Sequence, residues 1–270
     1  MDSRPLILIT NDDGIDSPGL HAAAEALLPI ADLLIAAPKD QQTAAGRCLR
    51  AAPHGVFEKR LIDIDGQSVE GWCLEASPAT TVRHALQCLV RDRRPDLVIS
   101  GINFGENIGT NVTASGTVGA AIQAAIWDYP ALAVSLEVPP EYHYEHGEVD
   151  WSGAVVILRR AVEKTLGRPW PMDVDVLKID IPDHADADTP WHVCRQSREP
   201  GWWGKVPEPS PTTPAGTTVG ERGPRPGRSW DPDDDMGVLL GKREVAITPL
   251  SVDMSSRTSL HAVEQLFIRG

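Results

Sequence analysis

Short apolar runs alternate with apolar residues at helical spacing along the first two thirds of the chain. Leu6-Ile7-Leu8-Ile9 leads into Thr10-Asn11-Asp12-Asp13-Gly14, which reads as a central parallel strand breaking into a loop. Ser17-Pro18 then supplies a cap and a first-turn proline before Leu20, Ala24, Leu27 and Leu28 at helical spacing. Leu33 to Ala37, stopped by Pro38, reads as a second strand, and Val69 to Leu74 as a third. Ser77-Pro78 repeats the cap signal ahead of Val82, Leu86 and Leu89 on one helix face. Leu97 to Ser100 is another central strand, followed by the glycine-rich stretch Gly101 to Gly109. Val118, Ile122, Ala125 and Ile126 mark a further helix, and Ala131 to Leu136 a strand. A longer helix is expected from Trp151 to Leu166 and one more strand from Val174 to Ile181. This alternation predicts an α/β fold, a parallel twisted sheet covered by helices on both faces.

Beyond that region the pattern breaks. Pro207, Pro209, Pro211, Pro214, Pro224, Pro226 and Pro232 are interleaved with glycine and polar residues, too proline-rich for a core. We expect three parts: a catalytic core over 1–190, an extended arm over 191–235, and a C-terminal strand and helix over 236–270. Trp202 and Trp203 in the arm are expected to pack on the body or on a neighbouring subunit. Val245 to Leu250 reads as a strand, and Leu260, Val263, Leu266 and Phe267 as a closing amphipathic helix.

Composition narrows the function. A net charge of −13 argues against binding a nucleic-acid polymer, since such proteins carry basic stripes. No run approaches the ~18 apolar residues of a membrane span, and the first twenty residues lack a signal-peptide pattern. Cys48, Cys73, Cys88 and Cys194 show no paired short spacing, so neither a zinc site nor a disulfide framework is indicated. A cytoplasmic protein with reduced thiols is expected.

The chemistry gathers at strand ends, where open α/β sheets bind their ligands. Asp12 and Asp13 would repel one another there unless a cation sits between them, and a hard divalent metal prefers such oxygens. Asn103, just past a strand end, could add an oxygen, although an Asx turn explains it equally well when read alone. Ser115-Gly116-Thr117 opens an apolar helix, and a helix N-terminus is a ready phosphate site; plain capping by Thr117 is compatible with that. Thr43, in the loop after the second strand, offers a further hydroxyl. The reading requires the acidic pair to lie beside the turn preceding Val118.

Together these pieces resemble the SurE family of survival-protein nucleotidases. The residues that carry the resemblance are Asn11-Asp12-Asp13-Gly14 with Ser17-Pro18-Gly19, Ala37-Pro38 leading to Thr43, and Ser100-Gly101-Ile102-Asn103 with Gly105, Asn107 and Gly109. Ser115 to Ala121, Pro130 to Ser135 and Ile247-Thr248-Pro249-Leu250 complete it. The resemblance implies a Rossmann-like core and a mostly parallel sheet, with C-terminal elements exchanged in a homodimer or homotetramer. It implies a metal-dependent phosphatase acting on nucleoside monophosphates, with 3′-nucleotides and short polyphosphate as further substrates. It also implies one divalent ion per subunit, Mg²⁺ or Mn²⁺, with Ca²⁺ acceptable in crystals, held by Asp12, Asp13, Thr43 and Asn103. Asp12, Asp13 and Asn103 are the expected catalytic residues, Asp12 for preference as general base. Asn11, Gly105, Asn107, Gly109, Ser115, Gly116 and Thr117 are expected to bind phosphate or substrate. Position 43 is Thr where many family members have Ser, Ala44 stands where glycine is frequent, and Ala114 where an aromatic often precedes Ser-Gly-Thr. The segment from Gly223 to Arg243 fits the family poorly, and no roles are carried onto it.

Two other classes compete. A haloacid-dehalogenase-like phosphatase would pass through an aspartyl-phosphate, but its motif separates the two carboxylates by one residue. A nucleotide-binding module without turnover would use the arm for partners. His143 and His146 lack a third ligand nearby, and the acidic run Asp231, Asp233, Asp234 and Asp235 fails the calcium-loop pattern at Met236 and Lys242. Both segments are expected to be solvated loops.

Overall fold

The first strand sets the architecture. In β1 (Leu6–Thr10) successive side chains point to opposite faces of the sheet, and both faces of this strand are apolar. Ile7 and Ile9 enter one core, with Ile35, Leu97, Ile99 and Val134. Leu8 enters the other, with Ala36, Val98, Ala131 and Ala133. A strand buried on both faces must lie in the middle of a layered fold.

The computed structural model describes residues 4–51, 54–90, 92–139, 142, 147–201, 203–204, 222–223 and 230–268. The first core is closed by α1 (Pro18–Leu27) and α4 (Ser152–Thr165) through Leu20, Ala24, Leu27, Ile157, Leu158 and Ala161. The second is closed by α2 (Pro78–Cys88) and α3 (Gly116–Ala125) through Val82, Leu86, Val118 and Ala121. The result is a three-layer α/β/α sandwich.

Between the layers runs a nine-stranded sheet. Its remaining strands are β2 (Asp32–Pro38), β3 (Glu58–Ile64), β4 (Gln67–Leu74), β5 (Leu97–Phe104), β6 (Ala131–Leu136), β7 (Val176–Ile181), β8 (Trp191–Val193) and β11 (Val245–Leu250). Their order is β3-β4-β2-β1-β5-β6-β7-β11-β8. From β4 to β7 every neighbouring pair is parallel, whereas β3 and β11 run antiparallel to β4 and β7. The chain leaves β1 toward β2 and β4, then returns through α2 to place β5 on the other side of β1. The crevice at this reversal is the topological switch point.

The strands and helices expected from periodicity are all present. Two strands of this sheet were not expected. β3 is polar at most positions because it is an edge strand, joined to β4 by a tight turn with positive φ at Asp65 and Gly66. β8 falls in the segment read as arm, yet it pairs in parallel with β11 at the sheet edge. Residues 203–204 and 222–223 form a two-stranded ribbon, β9 (Trp203–Gly204) with β10 (Arg222–Gly223). His143, His146, Trp202 and most of the arm prolines lie outside the described residues. A π-helical stretch, Gly237–Lys242, precedes β11. The closing helix α5 (Leu260–Ile268) leaves Leu260, Leu266 and Phe267 more than three-quarters exposed. No helix among the described residues is long and apolar enough to cross a membrane.

Candidate active site

At the switch point the C-terminal ends of β1 and β5 meet the N-terminus of α3, and the acidic pair stands between them. Asp12 and Asp13 are both buried. The Asp12 carboxylate faces α3, and its Oδ1 accepts a hydrogen bond from the Thr117 hydroxyl at 2.6 Å. Gly116 packs directly on it: a Cβ there would stand 2.7 Å from the Cβ and Oδ2 of Asp12. Only glycine permits that approach. Ser115 caps the helix by accepting from the Val118 amide at 3.1 Å; capping is therefore not the task of Thr117. Asp13 turns the other way, accepting from the Phe104 amide at 3.1 Å and from Gln41 Nε2 at 3.3 Å.

Asn103 follows a bulge in β5 and immediately precedes Phe104, whose amide bonds Asp13. Ser100 pairs with Ala133 but Asn103 with Ser135, so three steps on one strand match two on the other. Gly101 makes the bulge possible, with φ of 131° and Val134 O only 2.2 Å from where a Cβ would be. The Asn103 amide nitrogen donates to Gly105 O at 2.6 Å and to Phe104 O at 3.3 Å. Its Oδ1 is thereby the atom left for other partners.

Other expected site residues are placed differently. Asn11 is fully buried and uses both ends of its amide on Gly14, donating at 3.0 Å and accepting at 3.2 Å, so it shapes the turn that carries the acids. Thr43 is exposed. Its loop flanks the pair through the Gln42 amide on Asp12 O at 2.7 Å and the Gly46 amide on Ala114 O at 2.8 Å. Among the described residues no hydrogen bond joins the Thr43 hydroxyl to either carboxylate. The Gly105 to Gly109 loop, expected to offer amides to a ligand, sends three of them inward instead. Gly105 N–H donates to Leu136 O at 2.8 Å, Asn107 N–H to Asp180 Oδ1 at 2.7 Å and Gly109 N–H to Asp235 Oδ2 at 3.1 Å. Buried amides of an irregular loop need acceptors, and here the protein provides them. What the loop presents to the crevice is the Asn107 side chain, 2.8 Å from Ser135 Oγ and 3.4 Å from Thr117 Oγ1.

The electrostatics follow from burial. Asp12 is pushed up to about 6 by desolvation, partly offset by hydrogen bonds from Thr117 and the Gly116 and Thr117 backbone. Asp13 is pushed well above the usual carboxylate range by desolvation and then by the charge of Asp12. Among the described residues neither acid has a basic partner. Two adjacent buried carboxylates without a countercharge are costly, and a cation relieves that cost. Among the described residues no group of three or more His, Cys, Asp or Glu could hold a metal. A cation here would therefore be held by two carboxylates completed with neutral oxygens, such as Asn103 Oδ1. That donor set fits a hard divalent ion.

A model of the family described as survival protein SurE matches residues 7–201. The chain belongs to the SurE family. Among its curated relatives, the 5'-nucleotidase SurE of Thermococcus kodakarensis is 34% identical over 96% of this chain and 97% of its own length. The 5'-nucleotidase SurE of Methanosarcina acetivorans is 33% identical, covering 97% of each. The crystal structure of the SurE protein from Aquifex aeolicus superposes with a TM-score of 0.74 at 24% identity, over 97% of this chain and 100% of that one; it supports the SurE fold.

Several residues around this SurE site were not foreseen. Gln41 and Ser135 are ordinary polar residues in sequence, and only their neighbours reveal them. Asp235, read as part of a solvated acidic run, is fully buried and paired with Lys178 at 3.1 Å. Lys178 also pairs with Asp180, and both are fully buried. A Lys and an Asp two residues apart inside an apolar strand were the available signal, because such residues are almost never buried unpaired. Glu106 was also overlooked. It is buried, its Oε2 has no hydrogen-bond partner among the described residues, and desolvation raises it to about 8. Glu137 and Asp180 add to the rise, and Arg243 opposes it.

This carries a pH expectation. The folded state keeps the Glu106 proton up to about pH 8, whereas the unfolded chain releases it near the ordinary glutamate value of 4.5. Between those values folding takes up a proton, so stability falls as pH rises, by up to about 1.4 kcal/mol per pH unit. Glu106→Gln is expected to lose that slope, becoming more stable than wild type toward pH 8.5 but not at pH 4. Urea unfolding of both proteins across this range is the measurement; parallel profiles would contradict the assignment.

Proposed function

We propose that this SurE-family chain is a divalent-metal-dependent phosphatase that hydrolyses nucleoside 5′- and 3′-monophosphates, and short polyphosphate, to release phosphate by direct attack of water. One observation supports it above the rest: of the buried acidic pair that follows β1, Asp12 is in contact with the N-terminus of α3. A cation-binding surface and a phosphate-binding surface thus share one crevice.

When bound by Asp12, Asp13, Asn103 and the nearby Thr43 hydroxyl, a divalent ion would polarise a phosphoryl oxygen and lower the pKa of a water. The chain itself supplies position. The first turn of α3 directs its dipole and the Ser115 to Thr117 segment at the phosphoryl group. Thr117 orients Asp12 through its hydroxyl, and Asp12, the acid nearer this helix, takes the proton from the attacking water. Asn107 stands beside Thr117 and contributes a side-chain amide. Phosphoryl transfer asks mainly for placement and charge stabilisation, and this set is sufficient. The exposed apolar face of α5 is suited to exchange with a second copy in a homodimer or homotetramer.

The decisive assay is hydrolysis of p-nitrophenyl phosphate and then a panel of 5′- and 3′-nucleotides, with Mg²⁺ and Mn²⁺ in parallel. Metal-dependent release of phosphate from nucleoside monophosphates is expected, without a trappable phosphoenzyme. No turnover with any divalent ion would leave a binding module, and an aspartyl-phosphate would point to the other phosphatase class.

A further inference from the structure

The phosphate side of the crevice is built on a loop whose amides face away from it, and what they face is charged. Asp180 lies on β7 and Asp235 before the π-helical stretch, and both are fully buried with Lys178. Asp180 Oδ1 takes the Asn107 amide at 2.7 Å, while Asp235 Oδ2 takes the Gly109 amide at 3.1 Å. The other oxygen of Asp235 takes the Ser197 amide at 2.9 Å. The loop leaves regular structure at Gly105, so neighbouring strands cannot satisfy these donors. Carboxylates can, since each accepts several hydrogen bonds, but a buried carboxylate demands a cation. Lys178 is that cation. The consequence is at Asn107, whose main chain is gripped by Asp180 and whose side chain reaches Ser135 and Thr117.

We propose that the Lys178–Asp180–Asp235 cluster is a positioning device for phosphate: it clamps the loop from behind and so aims the Asn107 side chain at the first turn of α3. These three residues touch no substrate. The cluster acts mainly on the phosphate half of the site: it makes no bond to Asp12 or Asp13, which are held by Thr117, Phe104 and Gln41, and is linked to Asp12 through the long 3.4 Å contact of Asn107 with Thr117. The inference rests on the phosphatase reading above.

The test uses Asp180→Leu, which removes the acceptor for Asn107 but leaves Lys178 paired with Asp235, and Asp180→Asn, which keeps an acceptor oxygen. For the full-length protein, inorganic phosphate is measured as a competitive inhibitor of p-nitrophenyl phosphate hydrolysis, and Mn²⁺ binding by calorimetry. With Asp180→Leu the phosphate inhibition constant and KM are expected to rise at least tenfold, with Mn²⁺ affinity within twofold of wild type. Asp180→Asn is expected to recover most of the phosphate affinity. Unchanged phosphate affinity in folded Asp180→Leu overturns the proposal, as does a parallel loss of Mn²⁺ affinity, which a general lesion would cause. If Asp180→Leu does not fold, Asp235→Asn decides, since its single amide oxygen must serve both Gly109 and Ser197. The same split of at least threefold is expected, and its absence overturns the proposal. A wild-type protein that neither hydrolyses p-nitrophenyl phosphate nor binds phosphate would instead defeat the phosphatase reading itself.

Discussion

Asp13→Asn is expected to abolish phosphatase turnover and divalent-metal binding together while leaving the fold intact. The amide keeps the shape of the carboxylate, and its oxygen can still accept from the Phe104 amide that now sits at 3.1 Å. What disappears is the charge. In the metal-free protein that charge is a burden, since burial and Asp12 both push Asp13 upward. The variant without metal is therefore expected to be at least as stable as wild type at neutral pH. Stabilisation by added Mn²⁺ vanishes for the same reason. Outer-sphere partners of a metal cost roughly 10–100-fold when replaced, and replacing Asp13, proposed above as a direct ligand, is expected to exceed that range in kcat/KM. Calorimetry with Mn²⁺, thermal unfolding with and without the ion, and a p-nitrophenyl phosphate assay read the three effects. An active, metal-replete Asp13→Asn protein would remove Asp13 from the site.

The second large effect is on stability. Lys178→Met leaves the Asp180 and Asp235 carboxylates fully buried without their shared cation. Breaking a buried pair by deleting one partner typically costs about 3–5 kcal/mol, which in a chain of this size lowers Tm on the order of 10 °C. The loss comes from stranded charge rather than lost volume, because methionine nearly fills the space. Adding Asp180→Asn and Asp235→Asn to Lys178→Met neutralises the cluster and is expected to restore most of the stability. Urea unfolding of the single and triple variants decides it; a loss under about 1 kcal/mol in the single variant would mean the cluster carries little net charge.

Much of this molecule is legible in short strings of sequence. Both faces of Leu6–Thr10 are apolar, which demands a layer on each side, and proline after serine marks where two of the covering helices begin. The Asp-Asp-Gly turn follows a central strand, so it had to emerge at the sheet edge where such folds bind ligands. The hairpin of β3 and β4 was also within reach, because Asp65-Gly66 is a strong two-residue turn signal; the charged residues of β3 hid a strand that is polar only because it is an edge.

Other features depend on packing that no local pattern encodes. Asp235 looked like one of four solvated acids until the fold set it against Gly109, 126 residues away, beside Lys178. The glycine-rich loop has the composition of a ligand-facing nest, yet its amides turn toward Asp180, Asp235 and Leu136. Thr43 and Asn103 match the same family pattern, but one is exposed on a flanking loop and the other is buried behind a bulge in β5. The sequence alone determined the layered sheet, the order of its helices and the strand end that bears the acids, since periodicity and turn residues act within a few positions. Only the tertiary structure decided which charges are buried and which donors point inward. Desolvation and hydrogen-bond pairing depend on what distant segments bring alongside, and that information lies in no single stretch of chain.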